Sequence, residues 1–388
     1  MDSVQQDIRV SFRFPLHFTA GVFDETNPLL RNIASESDRS PAPLIFVVDR
    51  GLTPGHPNLI EQIERYCDHH GDVAHLAARP LLVPGGEAIK NNWHHVADIH
   101  RVINQGALCR HSYVVGVGGG AVLDVVGFAA ATAHRGIRLI RIPTTVLSQD
   151  DSAVGVKNGI NAYGKKNFLG TFAAPYAVIN DSSFLPTLHD RDWRGGISEA
   201  IKAALIRDAD FFDFIERHAK ALKARDLSVM EEVVKRSALI HLAHIALGGD
   251  PFELGTSRPL DYGHWAAHKL EALTGYEMRH GEAVGIGIAL DTTYAYLSGA
   301  LPERDWRRVI DLLRAIGLAV DAPELHEHLD NDDDPRSILG GLREFQEHLG
   351  GELTILLLNG IGRPFDCHDI DRTLMIQSIE RLRQLEHQ

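Results

Sequence analysis

The chain is short of cysteine, of basic excess and of long apolar runs. Three cysteines occur in 388 residues, Cys67, Cys109 and Cys367. Their wide, uneven spacing gives neither a disulfide framework nor a CxxC metal knuckle, so no disulfide is expected and a reducing compartment fits. Lys and Arg number 39 against 52 Asp and Glu, a formal net charge of −13. So acidic a chain lacks the electrostatic footprint of a nucleic-acid binder. Every apolar run is broken by charge, Gly or Pro short of the roughly 18 residues that a membrane helix needs, which excludes a membrane span on this reading. The opening MDSVQQDIRVSFRFPLHF carries acids and a β-like alternation where a secretory signal has a basic start and an apolar stretch, so the expected location is the cytoplasm. Tandem repeats and low-complexity segments are also absent.

What is present is a 44% share of hydrophobic residues, enough for a sizeable core. That content excludes disordered and fibrous classes, and the length exceeds what one core usually organises, so two domains are expected. Leu44 to Asp49, Tyr113 to Gly118, Ile137 to Ile142 and Tyr176 to Asn180 read as strands. Their near-continuous apolar character suits parallel strands covered on both faces. From about Ile197 the apolar spacing changes to three and four, as in ISEAIKAALI, GHWAAHKLEAL and GEAVGIGIALDTTYAYL, which predicts helices. The expectation is an α/β domain over 1–185 and an all-α domain over 186–388. Pro186 and the paired Gly195 and Gly196 read as the connector between them. The acidic run Asp330 to Asp334 reads as a solvated loop.

Strand Tyr113 to Val117 runs into Gly118-Gly119-Gly120 and then into a helical pattern. Glycines let a backbone approach a pyrophosphate closely, and a helix N-terminus offers unpaired N–H groups. Pro84-Gly85-Gly86-Glu87 with Lys90, and Pro143-Thr144-Thr145, add two more such turns, and together they suggest a dinucleotide site at strand C-termini. Asp151 to Lys157, Asn161 and Gly164-Lys165-Lys166-Asn167 read as a loop that either grips a phosphorylated polyol or carries ordinary surface lysines.

His264 and His268 stand at i and i+4, on one helical face. His280 opens the next helical segment, and Glu199 lies earlier with Lys202 three residues on. A catalytic divalent-metal site commonly takes three such protein ligands and keeps a further position open. Spacing alone leaves open which three of Glu199, His264, His268 and His280 bind.

These segments, in this order, resemble the sugar phosphate cyclases, whose best-known member is 3-dehydroquinate synthase. The resemblance spans roughly Ile45 to Gly362 through PGGExxK, GxGGGxxxDxxGFxAA, RGxxxxxxPTT, DSxVGxK, GKxN, ExxK and GHxxxH followed by HGEAV. It implies a Rossmann-like NAD domain joined to a helical metal domain, usually in a homodimer. It implies metal ligation by Glu199, His264 and His280, with Zn²⁺ first and Co²⁺ second, and leaves His268 to handle protons or phosphate. By the same carry-over NAD meets Asp49, Glu87, Lys90, Gly119, Gly120, Asp124, Thr144, Thr145, Thr187 and Leu188, with Lys166 beside them. The sugar phosphate meets Asp151, Lys157, Asn167, Lys202 and, across the dimer, Arg135. The implied chemistry is a redox cycle without net redox change: oxidation of a ring hydroxyl, phosphate elimination, re-reduction, ring opening and aldol closure.

The chain departs from the dehydroquinate synthase pattern where that pattern places a Lys and an Arg to grip a substrate carboxylate. Aligned on Asp250, Glu253, Gly255 and His264, those positions are Ala243 and Ser257, with Arg258 one residue over. A buried carboxylate left unpaired costs several kcal/mol, on the order of a thousandfold in affinity. The family asparagine before GHxxxH is Asp261, and the expected C-terminal lysine is missing, with His348 available for a phosphate contact. The combination resembles cyclases acting on sedoheptulose 7-phosphate, such as 2-epi-5-epi-valiolone synthase, and RPLDYGHWAAHKLE and TAHRGIRLIRIPTT look closer to the EboD-like branch. A valiolone-forming cyclase is the expectation; a dehydroquinate synthase using Arg258 and a metal-dependent polyol or glycerol-phosphate dehydrogenase are the alternatives.

Overall fold

Continuous β-branched runs form the centre of a parallel sheet. The computed structural model describes residues 3–8, 10–163, 165–248, 252, 260–349 and 351–386, with the side chains of 348, 349 and 386 outside that description. Strands β1 (Leu16–Thr19), β2 (Ala42–Asp49), β3 (Ala74–Leu76), β4 (Leu81–Val83), β5 (Tyr113–Gly118) and β6 (Arg138–Pro143) come first. A separate antiparallel hairpin follows, β7 (Lys157–Ala162) with β8 (Lys165–Phe172), before β9 (Ala177–Asp181) returns to the sheet. The order is β1-β9-β6-β5-β2-β3, with β4 also on β2. The pairs that β2 makes with β3, β4 and β5, and that β6 makes with β5 and β9, are parallel. β5 is buried along its whole length, as expected of a strand covered on both faces. Register aligns the strand ends: Asp49 opposite Val83, Val48 opposite Val117, Gly118 opposite Pro143. The turns after β2, β4, β5 and β6 therefore begin at one edge.

Two compact units make up the chain. Met1–Thr53, Pro57–Pro143 and Val156–Asn180 form the sheet unit, and Pro54–His56, Thr144–Gly155 and Asp181–Gln388 form the helical one. The expected α/β and helical halves are thus present. The core of the helical unit gathers Trp193, Ile197, Trp265, Leu270, Ile288 and Leu313, all essentially shielded from solvent.

Two readings need correction. The Lys157 to Asn167 segment is a hairpin rather than a loop, with Lys157 opening β7 and Lys165 to Asn167 opening β8. Its outward face is so open, with Phe168 and Phe172 each 50% exposed, that hydrophobic alternation gave no strand signal. Gly195 and Gly196 are no connector; they sit inside the helix Asp190–Arg207. Their smallness serves packing, since a Cβ on Gly196 would lie 2.4 Å from Val146 Cβ, and a Cβ on Gly281 would lie 2.1 Å from the Gly195 carbonyl oxygen. The helical half also carries a short antiparallel hairpin, β10 (Ile355–Leu358) with β11 (Pro364–Cys367), beside its helices. Among the described residues no helix is long and apolar enough to cross a membrane.

Candidate active site and metal centre

The helix Asp190–Arg207 places Glu199 and Lys202 one turn apart, with almost no exposure of either side chain. Lys202 Nζ lies directly on Glu199 Oε2. The other oxygen, Oε1, faces Nε2 of His264 and Nε2 of His280, each at 3.5 Å. His264 is the first residue of the helix His264–Leu273, and His280 the first of the helix His280–Leu297.

Both imidazoles are aimed by their far nitrogens. His264 Nδ1 meets the Tyr262 carbonyl oxygen at 3.1 Å, and His280 Nδ1 meets Glu271 Oε2 at 3.0 Å. With Nδ1–H spent on an oxygen, Nε2 is left as a lone-pair donor, the arrangement that metal-binding histidines use. The entry to His264 is pinned as well. Gly263 adopts a left-handed conformation (φ +76°), and a Cβ there would meet Ile288 N at 2.7 Å. Its N–H donates to Asp291 Oδ2 at 2.9 Å, while Trp265 Nε1–H donates to Asp291 Oδ1 at 2.8 Å.

Burial works against a charged Glu199, but Lys202, His264 and His280 outweigh it and hold the carboxyl well below the usual range. Burial likewise opposes the Lys202 ammonium, and Glu199 and Asp151 raise it above its ordinary value. Burial and the Lys202 charge lower the His264 imidazole, which keeps it neutral. Asp151 is lifted by burial, yet His241, whose Nδ1 is 2.8 Å from Oδ1, and Lys202 bring it below the usual range. Its neighbour Asp150 is fully buried, and burial and the charge of Asp151 push its carboxyl well above the usual range.

A divalent ion fits this cluster on three counts. Both Glu199 oxygens are sealed from solvent without a hydrogen-bond partner of normal geometry. The donor atoms of Glu199, His264 and His280 lie within 4.8 Å of one another. The 3.5 Å separations match the edge of a tetrahedron with metal–ligand bonds of about 2.0–2.1 Å.

Of the other expected residues in this unit, His268 is exposed beside the cluster, its ring stacked on His280 with centroids 5.9 Å apart. Asp261 accepts a hydrogen bond from His264 N through its carbonyl. Thr144 is buried with its hydroxyl unpartnered, and Thr145 caps the helix Val146–Asp150 in a capping box with Ser148. Thr187 Oγ1 meets His56 Nε2 at 2.9 Å, and Leu188 packs on the helical core. The side chain of His348, and Asp250, Glu253, Gly255, Ser257 and Arg258, lie outside the described residues.

In the sheet unit the structure joins residues that the sequence kept apart. Lys90, buried, sits 2.7 Å from Asp124 Oδ2 and directly on Asn167 Oδ1. Glu87 Oε1 accepts from Asn161 Nδ2 at 3.2 Å, and Asn161 Oδ1 accepts from Asn167 N at 2.8 Å. Asn167, expected with the sugar phosphate, thus belongs to the same polar network as the expected NAD residues Glu87, Lys90 and Asp124. Asp49 ends β2 and accepts from Gly51 N at 2.7 Å; burial raises its carboxyl, while the Gly51 and Gly119 N–H groups lower it. A Cβ on Gly85 would strike Asp49 at 2.4 Å, whereas Gly86 (φ +79°) faces open space. Gly119 and Gly120 begin the helix Gly120–Thr132. This glycine-walled sheet edge with a fresh helix N-terminus fits a pyrophosphate. Lys157 and Lys166 lie on the hairpin, and Arg135, with a positive φ of 61°, is exposed just after the Gly120 helix.

Sequence reasoning missed Glu271, His241, Asp150 and Asp291. A signal existed for Glu271, seven residues after His264 on the same helical face, and for Asp291, an acid within the apolar stretch GIGIALDTTYAYL. Nothing in the local pattern marked His241 or Asp150.

A parallel-sheet unit with glycine turns, followed by a helical unit holding a carboxylate–bis-imidazole cluster, defines a nucleotide- and metal-binding enzyme class. Residues 80–195 match the 3-dehydroquinate synthase N-terminal family and residues 196–333 the 3-dehydroquinate synthase C-terminal family. The chain belongs to the 3-dehydroquinate synthase family, within the sugar phosphate cyclases. It is 34% identical over 365 residues to the 3-dehydroquinate synthase of Nitrosospira multiformis, covering 94% of this chain and 93% of that one. The solved 2-epi-5-epi-valiolone synthase of Streptomyces hygroscopicus subsp. jinggangensis, with NAD+ and Zn2+ bound, superposes with a TM-score of 0.85 at 26% identity, covering 98% of this chain and 100% of that one. A 2-deoxy-scyllo-inosose synthase complexed with carbaglucose-6-phosphate, NAD+ and Co2+ shares the fold, with a TM-score of 0.76 at 24% identity over 94% of this chain and 96% of that one.

Proposed function

We propose that this protein is a metal- and NAD-dependent cyclase that converts a neutral C7 ketose phosphate, sedoheptulose 7-phosphate, into a valiolone-type cyclitol with release of phosphate. The observation that carries the substrate choice is Ala243. It is exposed on the helix Leu227–Leu247, two residues beyond the His241 that holds Asp151. The dehydroquinate synthase pattern has a lysine there for the substrate carboxylate, and a methyl group cannot replace it. The likeness to a valiolone synthase supports the same reading.

Glu199, His264 and His280 would hold the ion and leave a position open to substrate. When bound, the ion supplies Lewis-acid polarisation of a substrate oxygen and NAD supplies a reversible hydride acceptor. Lys202, locked as an ammonium by Glu199 and Asp151, offsets negative charge that develops on the substrate beside it. Asp151, kept ionised by His241, accepts hydrogen bonds from sugar hydroxyls. His268, outside the ligand set yet stacked on it, is exposed to solvent and exchanges protons beside the cluster. Lys90 and Asn167, on the glycine-turn network, orient the cofactor side of the reaction, and Lys157 and Lys166 bring cationic charge toward the phosphate. Domains over 1–185 and 186–388, a cytoplasmic location and a homodimer with Arg135 reaching the neighbouring site belong to the same proposal. The exposed apolar side chains Phe168, Leu169 and Phe172 of the hairpin support a partner surface.

A second reading, 3-dehydroquinate synthase itself, is favoured by the curated relatives that carry that name. Side-by-side turnover of sedoheptulose 7-phosphate and of the carboxylated seven-carbon sugar phosphate separates them. The proposal expects activity on the first; activity confined to the second defeats it.

A further inference from the structure

The metal-site reading leaves Glu271 unused. It lies on the helix His264–Leu273, seven residues after His264 and three after His268, so all three side chains share one face. Its carboxylate is buried, with 6% side-chain exposure, in a site that solvates it poorly. Oε2 stands 3.0 Å from His280 Nδ1, while Nε2 of the same ring points at Glu199 Oε1. The donor atoms of His268, Glu271 and His280 also lie within 4.8 Å of one another, so a second donor triad shares the His280 ring with the first.

Resting on the proposed metal site, we infer that Glu271 is a positioning residue: its hydrogen bond to His280 Nδ1 selects the tautomer that aims Nε2 at the ion and directs the ion to the Glu199 triad rather than to the His268 side. A histidine side chain can offer either ring nitrogen to an ion; a carboxylate on one nitrogen removes the ambiguity and makes the other nitrogen a better ligand. The helix that contributes one ligand thereby also orients a ligand on the next helix. Without Glu271 the His280 ring can turn, and its Nδ1 becomes available toward His268.

The test uses the full chain, stripped of metal and titrated with Zn²⁺ against a chromophoric chelator, with the visible spectrum of the Co²⁺-loaded protein as a second readout. Glu271→Ala and the volume-filling Glu271→Leu are expected to bind about 10–100-fold more weakly than wild type, with an altered Co²⁺ absorption band. Glu271→Gln, which still offers an oxygen to Nδ1–H, is expected to recover a large part of that loss. A purely structural role would not give this rescue or move the Co²⁺ band in protein that keeps its far-ultraviolet dichroism. Binding by the Ala or Leu variant within about twofold of wild type overturns the inference, as does a Gln variant no better than Leu. A wild-type chain that takes up no ion, with His264→Ala indistinguishable from it, overturns the metal site itself.

Discussion

Lys202 Nζ and Glu199 Oε2 form an ion pair one helical turn apart, with only 4% and 1% of the two side chains exposed. A buried pair of this kind is poor evidence for stability, because both charges lose hydration. Its value is functional: each partner keeps the other ionised at the centre of the cluster.

Removing the cation should therefore hurt twice. Lys202→Met leaves Glu199 without its counter-charge, and the metal-free protein should lose about 3–5 kcal/mol. Added Zn²⁺ should restore part of the melting temperature, while turnover stays down by about 10²–10³-fold. Equal melting curves for variant and wild type without metal would contradict the pairing.

Metal binding should weaken as pH falls. The ligand imidazoles must be neutral, and burial and Lys202 lower the His264 pKa, so the folded state releases its proton more readily than the unfolded chain. Below the ordinary imidazole range the unfolded chain holds more protons, and the apo protein should lose stability in the same direction. Zn²⁺ affinity measured from pH 8 to pH 4 is expected to hold near neutrality and to fall below the ordinary imidazole range; an affinity that rises as pH falls contradicts the ligand set.

Asp291 works in the opposite sense. Burial lifts its carboxyl to about 7, against the N–H groups of Trp265 and Gly263 that lower it. Its folded pKa exceeds the unfolded value, so the native state binds the extra proton and stability declines as pH rises from about 4 to 7, by at most about 4 kcal/mol. Asp291→Asn should flatten that decline. It should also lower stability at pH 4, where Asp291 is still neutral, by about 1–3 kcal/mol, since the amide cannot accept from both N–H groups. Parallel thermal melts across pH 4–8 check both statements.

Two glycines of one helix should behave differently. Gly281→Ala drives a Cβ into the Gly195 carbonyl oxygen at 2.1 Å and should cost about 1–3 kcal/mol, displacing His280 beside it. Gly285→Ala meets its nearest neighbour, Leu318, at an ordinary contact distance of 3.6 Å and should be neutral or up to about 1 kcal/mol stabilising. Melting temperatures of the pair are the measurement.

Much of this was legible from residue order. β5 runs from Tyr113 to Gly118 as its apolar run implied, and β2, β6 and β9 lie within about two residues of theirs. Buried parallel strands announce themselves because every position is apolar. The β7–β8 hairpin did not, because its polar, exposed face has no such pattern. Gly195 and Gly196 misled, since a glycine pair reads as a break unless one knows that another helix presses against it. His264 and His280 converge because a short spacing and two helix starts set them up, whereas Glu199, inside a distant helix, and the Asp151–His241 contact, which joins residues 90 apart in the chain, are brought in by tertiary packing.

The most direct test is to mix metal- and NAD-loaded protein with sedoheptulose 7-phosphate and follow inorganic phosphate and absorbance at the NADH band together. A cyclase that returns its hydride releases phosphate turnover after turnover while NADH never accumulates. NADH formed in step with substrate consumed, with no phosphate freed, would make the protein a dehydrogenase instead.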